Sequence, residues 1–349
     1  MILAPITLTG HAQKEAWQNK VLPPIEQLGR DVWSIPVSFP HNPMRYTLSY
    51  LLLGDGEAIL IDPGWDSEEG LTNLTAGLRQ AGLGLTDLTG IVVTHFHSDH
   101  LGMAARLRVA SGAWVALGER EVRRFTASED LDLVLSMHRE ELTLWGVPAA
   151  RLSEVAMNRP SLVHLQNLAD PDLRLSEGSL VPAQGLDLRV ITTPGHSPGH
   201  ICLVDEPHGL IFSGDHVLPR ISPHIALELP GPANPLADYY ASLDLIAFED
   251  EMEVCPAHEY RFRGMQRRVA QLVEHNRARS AEVLRVVEEH QPKTVWDITR
   301  HLTWSRGWDS LQSFSLRLAV SETASHVVYL RSNGHAINVP VTHPHLVEL

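Results

Sequence analysis

Ile91-Val92-Val93-Thr94-His95-Phe96-His97-Ser98-Asp99-His100-Leu101-Gly102 is the stretch whose reading decides the fold of this 349-residue chain. The β-branched run Ile91–Thr94 predicts a buried strand. His95 and His97 follow at a spacing of two, so in an extended turn both imidazoles point the same way. Asp99 and His100 come next, as the chain curls towards a helix, and can face a second point nearby. Three imidazoles and a carboxylate within six residues are costly to bury unpaired. The physical reading is a pair of divalent metals at the C-terminal edge of a sheet. Imidazole with carboxylate suits zinc first, with iron or manganese as alternatives.

Working outward, each further candidate ligand also follows a strand-like run. Leu186–Thr192 leads into Thr193-Pro-Gly-His196-Ser-Pro-Gly-His200, a turn that presents His196. Ile201–Val204 and Leu210–Phe212 read as a hairpin that ends in Ser213-Gly-Asp215-His216. Glu253–Cys255 is a short strand before Pro256-Ala-His258-Glu259-Tyr260. Upstream, Val32–Val37 and Tyr46–Leu53 predict strands, and Gly54-Asp55-Gly56 turns the second into Ala58–Ile61. That strand closes on Asp62-Pro63-Gly64, where Asp62 either caps a turn or orients a metal-bound histidine from behind. Leu71, Leu74 and Leu78 have the helical period. With the further helix 103–111 and strand 113–117, the order argues for an α/β layered domain.

The flanking regions differ. Residues 1–30 read as a polar lead-in. Residues 119–170 carry charge and helical pattern, which predicts a helical insertion over the site that could act as a lid. Its Met137, Leu142, Trp145 and Met157 are expected to form a small core of their own. The loop 217–235 has no assignable shape; its Leu218, Ile221 and Ile225 either line a cleft or plug the sandwich edge. From Arg263 the pattern gives a long helix to about His290, two more helices (294–302 and 310–330), and a turn at Gly334.

Composition sets bounds. The chain is 44% hydrophobic, enough for a sizeable core and more than one domain. No apolar run approaches the ~20 residues needed to span a bilayer. The start of the chain lacks a signal-peptide pattern. Cys202 and Cys255 each sit in apolar runs as expected free thiols. A cytoplasmic protein with no membrane contact is expected. The net charge of −14 is unevenly placed: residues 264–349 hold ten basic and eight acidic side chains, which leaves 18 basic and 34 acidic in residues 1–263. That acidic body disfavours non-specific nucleic-acid binding without excluding it.

His-x-His-x-Asp-His, then a later His, a Gly-Asp and a final His closely resemble the metallo-beta-lactamase superfamily over roughly residues 30–262. The resemblance implies an αββα sandwich with a dinuclear site along one edge, in a domain of residues 31–263. His95, His97 and His196 match the ligands of one metal; Asp99, His100 and His258 match those of the other, and Asp215 matches the bridging carboxylate. Antibiotic-hydrolysing members of the commonest class carry Cys at that last position. An Asp there is similar to the glyoxalase II type of thioesterase, to lactonases and to the family's nucleases. The C-terminal part, residues 264–349, resembles the winged-helix segment of the beta-lactamase-like protein 2 group, through Glu322-Thr-Ala-Ser-His-Val-Val-Tyr-Leu and Arg331-Ser-Asn-Gly.

The expected activity is that of a metal-dependent hydrolase acting on a small molecule. A hydroxide held between two metals would attack an ester, a thioester of acyl-CoA or glutathione type, or a lactone. Asp99 or the metal-bound water would return a proton to the leaving group. His216 and Tyr260 are weak candidates for touching substrate. The alternative is an endoribonuclease, for which Arg261, Arg263, Arg267 and Arg268 could reach a phosphate backbone; beta-lactamase activity is a minor alternative. A homodimer through the C-terminal helices is a further expectation.

Overall fold

The computed structural model describes residues 5–121, 131–158, 169–227, 233–247 and 250–341. Two sheets carry the fold. The first runs β2 (Glu26–Gln27), β3 (Val32–Ser38), β4 (Tyr46–Leu53), β5 (Ala58–Ile61), β6 (Gly90–Val92), β7 (Trp114–Gly118) and β8 (Leu173–Leu175), in that spatial order. The second has the order β1-β13-β12-β11-β10-β9, with β1 at Thr7–Leu8, β9 at Leu188–Thr192, β10 at Ile201–Asp205, β11 at Leu210–Gly214, β12 at Glu253–Pro256 and β13 at Phe262–Arg263.

The alternation of side chains along these strands makes the layers. Ile201 and Leu203 of β10, with Leu210 and Phe212 of β11, face Leu48, Tyr50, Leu52, Ile59 and Ile61 of the first sheet in one core. Their neighbours Cys202, Val204 and Ile211 face the opposite way, into a core closed by helices α7 (Pro235–Ile246) and α8 (Met265–His290). On the far side, Ile35, Val37, Leu51, Leu60 and Ile91 pack under α2 (Glu68–Gln80) and α4 (Ala104–Ser111). Helix, sheet, sheet, helix is therefore the layer order. The αββα sandwich inferred from the motif resemblance is the observed fold. Both cysteines are free and buried.

Local signals explain the helices. Ser67 caps α2 by accepting the Gly70 N–H at 2.9 Å, and Leu74 and Leu78 turn inward. Burying each such leucine stabilises by about 1.5–3 kcal/mol. Helix α7 went unread in the sequence, although Asn234 caps it through the Ala237 N–H and Pro235 occupies its first turn.

Several expectations need correction. The lead-in is built into the sandwich: β1 pairs with β13, β2 pairs with β3, and α1 (His11–Asn19) lies between them in sequence. The boundary at 263/264 falls at the start of α8, whose Val269 and Leu272 complete the sandwich while Val283 and Val286 enter another core. That other core is shared. Leu142, Trp145 and Val147 of the insertion pack with residues of α9 (Val295–Thr299) and α10 (Ser313–Ser332), so Leu142 and Trp145 do not form a core of the insertion alone. The insertion's helices, α5 (Leu131–Leu144) and α6 (Ala149–Val155), thus rest on the C-terminal helices. Residues 122–130 and 159–168, which the lid expectation also covered, lie outside the described residues.

A wing hairpin is absent among the described residues after Gly334. The carbonyls it would pair are taken by side chains: Arg331 donates to Ile337 O and Val339 O, and Trp145 Nε1–H to Val341 O at 2.9 Å. No described helix is long and apolar enough to cross a membrane.

Candidate metal centre

The site forms where strands of both sheets end. β6 stops at Val92, the Val93 N–H still reaches Ala116 O, and His95 to His100 then curl into the short α3 (Ser98–Leu101). β5 delivers Asp62, β11 delivers Asp215 and β12 delivers His258. Asp62 has φ of 51° and Gly214 has φ of 49°, both left-handed. Gly214 has a second reason to be glycine: a Cβ there would sit 2.7 Å from both His200 Nε2 and Thr94 Oγ1.

Hydrogen bonds fix which imidazole nitrogens are left bare. His196 Nδ1 donates to His224 O at 2.9 Å and His258 Nδ1 to Tyr46 O at 3.0 Å. A carbonyl only accepts, so a neutral ring leaves its Nε2 as a lone pair. Asp62 Oδ2 takes the His100 Nδ1–H at 2.9 Å. Asp62 also accepts the Thr94 N–H and O–H at 2.8 and 2.9 Å. The Thr94 oxygen therefore accepts from His95 Nδ1 at 3.1 Å, and His95 Nε2 is bare as well. His95 Nε2 lies 2.8 Å from His97 Nδ1, which lies 3.1 Å from His196 Nε2. Converging imidazole nitrogens suit a shared cation better than one another.

The carboxylates complete a second cluster. Asp215 Oδ2 is 3.7 Å from His196 Nε2, while its Oδ1 is 3.6 Å from His100 Nε2 and 3.3 Å from His258 Nε2. Asp99 Oδ2 is 3.5 Å from His258 Nε2. Burial and the neighbouring imidazoles push His95 well below the ordinary histidine range. Burial would do the same to His258, yet Asp215 and Asp99 raise it to about 10. Burial would raise Asp99, but His100 and His258 hold it at about 2. Burial lowers His196 too, so one half disfavours charge on His95 and His196 while the other is an acid-rich half that draws positive charge.

Among the described residues, buried His100 Nε2 and Asp215 Oδ1 have no hydrogen-bond partner. Unpaired buried polar atoms demand an explanation, and divalent cations supply one. Among the described residues, three groups have donor atoms within 4.8 Å of one another: His95, His97 and His196; His95, His100 and Asp215; Asp99, His100 and His258. The residues fit divalent metal ions.

Other sequence candidates fall elsewhere. His216 is fully buried beneath the site, its ring 5.1 Å from Tyr239 and 5.8 Å from His200, so it does not face a substrate. Burial lowers it to about 3. Tyr260 is half-buried. Arg261 and Arg268 are buried, the first paired with Glu253 and Glu26, the second bound to Leu218 O and Ile221 O; neither reaches a nucleic acid. Arg263 Nη1 donates to Glu251 O. Val217, Leu218 and Ile225 are buried, and Val217 and Ile225 join the outer helical core, plugging the edge.

Sequence reading missed three supports. Glu121 is buried and accepts from Ser197 Oγ and the Gly199 N–H, clamping the His196 turn. His200 Nε2 accepts the Asp215 N–H at 3.2 Å. The carbonyls of Tyr46 and His224 orient two ligands, and a backbone acceptor leaves no signal in residue type.

A family model described as the Metallo-beta-lactamase superfamily matches residues 43–258. The chain is 27% identical over 312 residues to the probable metallo-hydrolase YqjP of Bacillus subtilis, covering 86% of this chain and 92% of that one. It is 28% identical over 298 residues to the acyl-coenzyme A thioesterase MBLAC2 of Gallus gallus, covering 81% and 96%. A metallo-beta-lactamase family protein of Thermus thermophilus superposes with a TM-score of 0.73 at 27% identity, covering 88% and 95%.

Proposed function

The chain belongs to the metallo-beta-lactamase superfamily, and from that premise we propose that it hydrolyses a small carbonyl substrate, a thioester before an ester or lactone, with two zinc ions. Its standing as a metal-dependent hydrolase comes from the family and its hydrolase relatives. The thioester choice draws on the acyl-coenzyme A thioesterase relative and on Asp at position 215.

One observation carries the two-metal reading. The two oxygens of Asp215 face different clusters, Oδ2 towards His196 and Oδ1 towards His100 and His258. His95, His97 and His196 would hold one cation, Asp99, His100 and His258 the other, and Asp215 both. Cations so held supply Lewis acidity and a water whose pKa is near neutral.

The chain's own groups do the rest. Nδ1–H bonds to Asp62, Tyr46 O and His224 O keep His100, His258 and His196 in the tautomer that presents Nε2. Asp99, whose Oδ2 is 3.5 Å from His258 Nε2, would take a proton from the attacking water and pass it to the leaving group.

The test is turnover by metal-loaded protein of acyl-CoA, S-acylglutathione, p-nitrophenyl esters and lactones, beside fluorescent single-stranded RNA. Thioester hydrolysis abolished by Asp215→Ala is the expected result. RNA cleavage without any carbonyl turnover would overturn the proposal.

A further inference from the structure

We propose that Lys14, Arg45 and Arg220, gathered around the rings of Trp17 and Tyr260 beside the metal centre, form a subsite for a phosphate on the leaving-thiol end of the substrate. The inference rests on the thioester reading above for its substrate, and on geometry of its own for its place.

Arg45 and Arg220 are tied to the segments that hold the candidate ligand His258. Tyr46, whose carbonyl holds His258, directly follows Arg45. Glu259, directly after His258, accepts the Arg220 N–H and Nε–H, each at 3.0 Å. The Arg45 guanidinium carbon is 4.0 Å from the centre of the Trp17 ring, and that of Arg220 is 5.7 Å. Lys14 Nζ is 5.8 Å from the Tyr260 ring centre. Tyr46 meets Trp17 edge-on at 6.0 Å and donates its hydroxyl to Glu259 O. Trp17, Tyr46 and Glu259 thus bind the cluster to the sandwich.

Charge makes the cluster a site rather than a stack of side chains. Residues 1–263 carry 34 acidic against 18 basic side chains, yet among the described residues Lys14, Arg45 and Arg220 gather here with the buried Glu259, and Arg268 adds to the positive field at Glu259 and Tyr260. Cation–π contacts stabilise by about 0.5–1 kcal/mol at exposed positions and neutralise nothing. Arg45 Nε is buried with no hydrogen-bond partner among the described residues, although Arg45 Nη2 donates to Trp17 O at 2.9 Å. Arg220 is 60% exposed. Arg45 and Glu259 also hold left-handed backbone, with φ of 67° and 70°; strain of this kind gathers at ligand clamps.

The local surplus of positive charge selects the ligand. A phosphate monoester carries about −1.5 to −2 near neutral pH and offers oxygens in the geometry that a guanidinium fork binds. A single carboxylate would meet less of that surplus. A thiol carrier with phosphates some distance from its sulfur, as in coenzyme A, can reach the rim while its thioester lies at the metals.

Isothermal titration of the metal-loaded full chain tests this. The probes are S-methyl-coenzyme A, S-methylpantetheine, S-methylglutathione and inorganic phosphate; the methyl cap keeps the sulfur from binding metal as thiolate. Wild type is expected to prefer S-methyl-coenzyme A to S-methylpantetheine by at least about tenfold, as charged hydrogen bonds allow. That preference should fall about tenfold in Arg45→Gln and in Arg220→Gln, and about threefold in Lys14→Gln. Lys14→Gln guards against misfolding, because Lys14 has no ion pair among the described residues, and metal content is measured in every variant. Equal affinity for the two carriers, or a preference unchanged in all three variants, overturns the proposal. So does S-methylglutathione binding that depends on the same cations, or inorganic phosphate binding there without any carrier preference. A chain that shows the preference but cleaves no thioester refutes the function above and keeps the subsite; a thioesterase without the preference does the reverse.

Discussion

Asp62 Oδ2 lies 2.9 Å from His100 Nδ1, and both side chains are buried. The carboxylate spends its other bonds on the Thr94 N–H and O–H, so it cannot turn away from the ring. In Asp62→Asn, the same oxygen still serves the Thr94 N–H while an amide NH2 faces His100 and favours the wrong tautomer. Metal affinity, read by competition with a chromogenic chelator, should drop about 10–100-fold. Affinity within twofold of wild type would show that His100 needs no such partner.

Gly214 sets the position of Asp215. With φ of 49° and only 2.7 Å between a built Cβ and His200 Nε2, Gly214→Ala should destabilise by about 2–4 kcal/mol. It should also lower metal content, because the carboxylate shared between the two clusters is displaced. Chemical denaturation with metal analysis checks both; a stable, fully loaded variant would mean that the turn relaxes without strain.

What could be read beforehand follows a physical pattern. Histidines 95, 97 and 100 and Asp99 stand out because the chemistry is local and each flanking strand carries its own β-branched run. The two-residue strands β1, β2 and β13 have no pattern of their own; pairing partners distant in sequence define them. Helices 131–144, 265–290 and 313–332 show an apolar face, but periodicity does not say what that face meets, so the core shared by Trp145, Val283 and Val320 was not legible. Nor was the absence of a wing from the described residues, since it depends on Arg331 and Trp145 reaching the carbonyls of residues 337, 339 and 341.

Trp145 tests the shared core. It is 1% exposed and donates its indole N–H to Val341 O at 2.9 Å. Trp145→Phe keeps the ring contacts and loses the hydrogen bond, for about 1 kcal/mol. Trp145→Ala should cost about 3–5 kcal/mol. If the insertion and the C-terminal helices form one cooperative unit, both segments become protease-sensitive together in the alanine variant. Cleavage confined to residues 119–170 would separate them.

Glu322 on α10 gives a pH dependence with a definite sign. Burial would raise its carboxyl, but the hydrogen bond and charge of His224, with His326 and Arg279, hold it at about 2 against an ordinary value of 4.5. A carboxyl depressed on folding contributes stability above its unfolded value, and loses that contribution as pH falls from about 4.5 towards 2. The melting temperature of wild type should therefore exceed that of Glu322→Gln at neutral pH by several degrees, on the order of 2–8 °C. The gap should close over that acid window. Metal loss in acid affects both proteins, so the difference between them isolates Glu322. A gap that stays constant from pH 7 to pH 3 would show that the carboxylate's charge contributes nothing, and that His224 is held against α10 by its bond to Ser321 Oγ, at 3.3 Å, instead.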